Sequence, residues 1–154
     1  MNVQDIINKN AICVGFEAAD KREAITHIAQ QLYQDGAISD VERFVDDVFF
    51  RESEGQTGIG EGIAVPHGKS NSVTRSCVAI GTLKAPIAWE SIDDEPVSVI
   101  FLFAVQDTAY DNTHLKMMAT VACALAHDDI CYKLRSAESH DDILRIVDEM
   151  AAYA

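Results

Sequence analysis

No apolar run in these 154 residues approaches the ~20 that a bilayer span requires, so insertion into a membrane is not expected. The opening MNVQDIINKN lacks the layout of a secretory leader, and a cytoplasmic location is the expectation. Cysteine is sparse: Cys13, Cys77, Cys123 and Cys131 stand far apart, with no C-x-x-C spacing. Buried thiols in a reducing compartment are expected of such a scatter. Positive charge is scarce too, with 12 Lys and Arg against 25 Asp and Glu and a formal net charge of −13. That surface repels nucleic acid and anionic lipid; it suits a basic protein partner, or solubility alone. Neither H-E-x-x-H nor a Cys/His cluster is present, so no metal is expected, and the lack of G-x-S-x-G argues against a serine hydrolase. Internal repeats, low-complexity tracts and Pro/Ser-rich linkers are likewise missing, which leaves a single domain over 1–154.

What is present is ordinary globular material, 48% hydrophobic and 24% charged, enough to build a sizeable core. A strand is expected at Ala11 to Phe16. Asp20 then opens a helix with Glu23 completing a capping box; Ile25, Ile28, Ala29 and Leu32 form its apolar face and Gly36 ends it. Ser39 with Glu42 suggests a second capping box, ahead of a stripe of Val41, Phe44, Val45, Val48 and Phe49 at helical spacing. Arg51 falls at the end of that helix. Strands follow at Cys77 to Leu83 and at Val97 to Val105, the latter apolar enough to be covered on both faces. Asn112 or Thr113 can cap a helix burying Leu115, Met118, Ala119, Ala122 and Leu125. A last helix starting at Ser139, with Asp142 three residues on, buries Ile143, Leu144 and Val147. Interspersed helices and strands point to a sheet with helices packed on it, an α/β class.

One stretch interrupts this alternation. Positions 58–70 read GIGEGIAVPHGKS, and the closing Gly68-Lys69-Ser70 resembles the end of a Walker A loop. That loop needs a glycine where Ile63 stands, and a dinucleotide fingerprint fails at the same residue. Ile63, Ala64 and Val65 instead form a short buried strand that Pro66 stops by removing a ladder donor. His67 then emerges from an anchored strand end with little side-chain freedom. It is either a presented imidazole or a turn histidine without a role.

His114 sits in the first turn of its helix, where free N–H groups and the helix dipole favour an anion and a neutral ring. A neutral imidazole beside a phosphoryl group can donate one hydrogen bond. Arg51 supplies positive charge in a planar fork that matches phosphate oxygens. The alternatives are a partly exposed helix-start histidine and a solvated helix-end arginine. His27 falls off its helix's apolar stripe and is expected to face solvent, while His127 and His140, at a helix end and a helix start, suit the surface. Asp111, His114 and His67 could meet at a metal, a weaker reading than an anion site.

Taken together, TGIGEGIAVPHGKS, the preceding Arg51-Glu52 and the later Thr113-His114-Leu115 resemble the enzyme IIA domains of the bacterial sugar phosphotransferase system. The mannitol/fructose type, which includes a nitrogen-regulatory branch, is the class most resembled. The resemblance runs from the second helix to the last and includes APIAWESIDDEPVSVIFLFAV, where Trp89 holds an expected aromatic position. It implies a mixed β-sheet sandwiched between α-helices, and a phosphocarrier that needs no cofactor. His67 would accept a phosphoryl group from the phosphocarrier protein HPr and pass it to a sugar-specific enzyme IIB, with Arg51 and His114 flanking it. Glu61 resembles the fructose-type sequences, the nitrogen-regulatory branch often carrying asparagine there. Gln106 to Tyr110 lacks the proline-containing loop common in the family, so both a transport subunit and a regulatory protein-binding module stay open.

Overall fold

The computed structural model describes residues 1–108 and 112–153. Its centre is an antiparallel pair, β5 (Cys77–Ile87) and β6 (Val97–Gln106), with Thr82 opposite Val99 and Cys77 opposite Ala104. All residues from Cys77 to Leu83 are buried, because both faces of the pair are covered. On one side β1 (Ile7–Phe16) lies parallel to β5, Ile12 opposite Ile80. On the other, β3 (Ile63–Ala64) and β4 (His67–Ser70) lie in line, both parallel to β6, and β2 (Gly58–Gly60) pairs antiparallel with β3. The result is a mixed six-stranded sheet, as the sequence leads one to expect.

Helices cover both faces. On one, α2 (Lys21–Gln34) and α3 (Val41–Glu52) bury Ile25, Ile28, Leu32, Phe44 and Val48 against Ala79, Ile100 and Leu102. On the other, α4 (Thr113–Leu125), α5 (Asp128–Ser136) and α6 (His140–Met150) bury Met117, Val121, Ile130, Leu134, Ile143 and Val147 against Val78, Ile80, Phe101 and Phe103. A single turn, α1 (Val3–Ile6), precedes β1. The expected mixed sheet between α-helices, in one domain, is the fold observed.

Several local expectations need correction. Asp20 caps α2 by accepting from the Glu23 N–H, as read, but α3 is capped by Asp40, which accepts from Arg43 N at 3.0 Å. Ser39 instead gives both its N–H and its hydroxyl to Ser72 O. Pro66 interrupts a strand line rather than ending it, since pairing with β6 resumes at His67. In α6 the buried positions are Ile143, Ile146, Val147 and Met150, with Leu144 half-buried. Cys13, Cys77 and Cys131 are buried as expected, but Cys123 is exposed.

The largest correction concerns α4. Its core face is Met117, Val121, Ala124 and Leu125, whereas Leu115 is 58% exposed and Met118, Ala119 and Ala122 are not buried. Of the expected stripe only Leu125 reaches the core, and the rest lies on the helix's outer side or is half-buried.

Candidate functional site

The glycine-rich segment builds a platform. Gly60, Glu61 and Gly62 all have positive φ (94°, 59° and 75°) and form the turn from β2 into β3. Such backbone strongly favours glycine at two of the three places. Arg135 of α5 holds the third by donating Nη1–H to Glu61 O at 2.7 Å. Downstream, Val65 N donates to Thr57 O and Phe103 N to Pro66 O, each at 3.0 Å. His67 is therefore gripped from both sides in the two residues before it.

His67 opens β4 opposite Phe103 and is half-buried. Its Nδ1 is buried and has no hydrogen-bond partner among the described residues, which leaves Nε2 as the reachable ring nitrogen. Burial first, then the Arg51 guanidinium and His114, push the His67 pKa below the ordinary imidazole value; the Val65 backbone and Glu52 act against them. Neutral imidazole is thus the form favoured at neutral pH, with a lone pair available on Nε2.

Arg51 lies in the last turn of α3, as read from the sequence, and donates Nη1–H only to Gly55 O, at a long 3.3 Å. No carboxylate among the described residues lies within ion-pair distance of it, which leaves its guanidinium fork without a side-chain partner there. His114 is the second residue of α4 and half-buried, with Nδ1 lacking a partner among the described residues. The N-cap Asn112 makes no side-chain capping bond. All three residues expected at the site line one cavity of about 320 Å³, at the ends of β4 and β6 and between the two helical layers.

That cavity contains residues the sequence did not single out. Lys69, two residues beyond His67 on the same face of β4, lines it without an ion-pair partner among the described residues. Asp47 of α3, Glu54 just after it, and Asp107 after β6 bring carboxylates to its wall, and Phe50 is 72% exposed at its rim. Strand alternation from His67 would have pointed to Lys69; the carboxylates left no signal. Its four nitrogen-bearing side chains can accept a small oxyanion and stabilise charge on it.

The remaining histidines lie elsewhere. His27 is not solvent-facing as expected but stacks on Phe16, with centroids 4.1 Å apart. His127 precedes α5 and stacks on Tyr153, and the exposed His140 contacts Lys9 O through Nε2 at 3.2 Å. No cluster of His, Cys, Asp and Glu fit to hold a metal occurs among the described residues. Asp111, the third member of the weaker metal reading, lies outside them. No helix is long and apolar enough to cross a membrane among the described residues.

Beside the cavity runs an apolar groove of about 310 Å³, lined by Ile59, Val65, Phe103, Met118, Ala119 and Ala122. Val65 leads to His67 and Met118 lies one turn beyond His114. The α4 stripe that misled the burial reading forms one bank of this groove.

Comparison with known proteins adds independent findings. A family model described as phosphoenolpyruvate-dependent sugar phosphotransferase system, EIIA 2, matches residues 5–150. The 2-O-alpha-mannosyl-D-glycerate-specific EIIABC component of Escherichia coli is 35% identical over 97% of this chain, and the fructose-specific EIIABC component of Bacillus subtilis 32% over 97%. The chain spans only 23% of the length of each. A nitrogen regulatory protein of Klebsiella oxytoca is 31% identical over 97% of this chain and 91% of its own length. Among solved structures, nitrogen regulatory protein IIA-Ntr from Neisseria meningitidis superimposes with a TM-score of 0.80 at 26% identity, covering 93% of this chain and 97% of that one. IIA mannitol from E. coli gives 0.77 at 25% identity, over 92% and 98%.

Proposed function

Because this chain belongs to the EIIA type 2 family of the phosphoenolpyruvate-dependent sugar phosphotransferase system, we propose that it is a cytoplasmic phosphocarrier working through His67. Residues 1–154 would make up one EIIA type 2 domain. The observation that carries the reading is the cavity: His67 offers a reachable Nε2, and His114, Arg51 and Lys69 surround it. The lone pair of Nε2 attacks phosphorus as the phosphorus–nitrogen bond of phospho-HPr breaks, and that bond's electrons return to the HPr imidazole. The onward step repeats this, with a nucleophile on enzyme IIB displacing phosphorus from Nε2. Arg51 and Lys69 hold the equatorial oxygens, whose charge persists through the transition state, so positioning and charge do most of the catalysis. His114 orients the group from the start of α4.

The apolar groove supports docking of protein partners beside the transferring atom. Its exposed Ile59, with Asp47, Glu54 and Asp107 on the wall of the neighbouring cavity, suits a partner surface that is apolar at its centre and basic around it. Delivery of fructose or a related sugar's phosphate through IIB is the reading favoured by the fructose-specific and mannosylglycerate-specific relatives, and by Glu61. A phosphorylation-controlled regulator is the second reading, supported by the nitrogen regulatory relative.

Incubation with phosphoenolpyruvate, enzyme I and HPr tests the proposal. One acid-labile phosphate should appear per chain and vanish in His67→Ala, while His27→Ala, His127→Ala and His140→Ala retain it. Labelling that persists in His67→Ala would overturn the assignment.

A further inference from the structure

Next to Arg51, at the end of α3, lies a largely buried polar ring that the transfer chemistry above does not use. The Glu52 side chain is 4% exposed, yet it carries a carboxylate. Its Oε1 accepts from Thr57 Oγ1 at 2.6 Å and its Oε2 from Lys21 Nζ at 2.8 Å. Thr57 Oγ1 in turn accepts from Trp89 Nε1 at 3.0 Å. Lys21 Nζ lies 5.0 Å from the Trp89 ring centroid and also pairs with Glu90, which closes the ring. Four parts of the chain meet here: the start of α2, the end of α3, the residue before β2, and the β5–β6 connection.

We propose that Glu52 is a positioning residue for the transfer site, locking the end of α3 that carries Arg51 to the Thr57 segment that leads to His67. The inference rests on the phosphocarrier reading above. Glu52 follows Arg51 in the last turn of α3, so its two bonds fix where the guanidinium begins. Thr57 is buried, and its carbonyl takes the Val65 N–H two residues before His67. One carboxylate therefore spaces the cation and the nucleophile. Stability alone does not require an ion here, since a buried pair seldom outperforms an apolar replacement of the same volume. Two short charge-assisted bonds do fix a geometry.

The same carboxylate acts on the imidazole through its field. Facing the cavity are Asp47 and Arg51 of α3, Glu54 in the turn after it, Lys69 of β4, Asp107 after β6 and His114 of α4. Burial, Arg51 and His114 disfavour imidazolium at His67, and Glu52 favours it. Removing that charge should move the His67 titration further down in pH.

The test uses phosphate-free protein first. His67 is titrated by NMR in wild type, Glu52→Gln and Thr57→Val, and transfer from phospho-HPr is then timed by rapid quench. Glu52→Gln should titrate at lower pH than wild type. It should also accept phosphate about tenfold or more slowly, as expected when a reacting group is misplaced by a fraction of an ångström. Thr57→Val keeps the charge but cuts the link, so it should titrate as wild type and still transfer slowly. A wild-type midpoint or a wild-type rate in folded Glu52→Gln would overturn the proposal. Should that variant fail to fold, a wild-type rate in Thr57→Val would overturn it instead. If wild type itself takes no phosphate, the carrier reading fails, while the titration still reports on Glu52 alone.

Discussion

Gly68 lies flat against Val48: a Cβ at Gly68 would sit 2.7 Å from Val48 Cγ2 and 2.9 Å from Phe44 Cε1. The missing side chain lets β4, which carries His67, press directly onto α3, which carries Arg51. Gly68→Ala must push the two apart. Overpacking of this kind costs typically ~1–3 kcal/mol, which chemical denaturation should read. Phosphate acceptance should fall along with stability, because the displaced elements are those that frame the cavity. A stable, fully active variant would show that the contact is slack.

Arg51→Lys should fold normally and accept phosphate more slowly. A point charge cannot reproduce a planar fork of donors, and loss of such a stabilising group costs on the order of 10²-fold or more. Rapid-quench transfer from phospho-HPr measures it. Wild-type rates in the lysine variant would return Arg51 to an ordinary helix-end residue.

The pH dependence follows from the lowered His67 pKa, which burial causes first and Arg51 second. Acceptance should begin to fall at lower pH than for an imidazole with the ordinary value of 6.5, as Nε2 takes a proton. Arg51→Gln removes one lowering influence, so its loss of activity should begin at higher pH than in wild type. Stability has the matching sign. Between 6.5 and the lower folded value the unfolded chain binds a proton that the folded chain does not, so His67's contribution is lost as pH falls. A pH–rate profile and pH-dependent melts in both proteins check the two statements.

His114→Ala should still accept phosphate from HPr, but donate it to IIB more slowly. Acceptance needs the nucleophile and a tolerable cavity, whereas donation needs the group held in line, where a misplacement near 1 Å can cost ~10²-fold. His114→Gln, which keeps a donor at similar reach, should retain more donation than alanine. Separate assays of the two half-reactions decide; complete loss of acceptance in the alanine variant would give His114 a part in the first step.

A charge in the groove should act on docking alone. Ala119 is exposed on α4 and lines the groove. Ala119→Asp should leave the melt nearly unchanged but raise KM for phospho-HPr by roughly tenfold, the equivalent of about 1.4 kcal/mol. An unchanged KM would place the docking surface elsewhere.

The sequence and the structure agree where burial leaves a regular mark. β5 and β6 are apolar on both faces, and α2 and α3 each carry a single stripe, so these elements were legible. In α4 two stripes overlap: Met117, Val121 and Ala124 point to the core, Met118, Ala119 and Ala122 to the groove, and helical spacing fits both. β4 has no apolar alternation; HGKS is a strand only because its backbone bonds to β6. Acidic and basic residues on α5 hid Ile130, Cys131 and Leu134. His67 stood out in the sequence because glycine, proline and histidine follow one another in a strict order, and the structure brings it to one cavity with Arg51 and His114. Asp107 and the Glu52 ring depend on which elements fold beside each other, and spacing along the chain does not record that.

Strand order also has a temporal side. The β5–β6 hairpin joins neighbours in the chain, whereas β1 must bring Ile12 to Ile80 across a long intervening loop. Local pairings close with little entropy lost and distant ones late, so the hairpin is the natural nucleus. Among the described residues the short strand that begins at His67 has a sheet partner on one side only, β6, and can join after that hairpin exists. On that ordering the strand would join late and open early. Amide hydrogens of Lys69 and Ser70 should exchange by local fraying while those of Ile100 and Leu102 wait for global unfolding. A partner seated in the groove would slow that fraying, so recognition completes the folding of the residues it comes to meet.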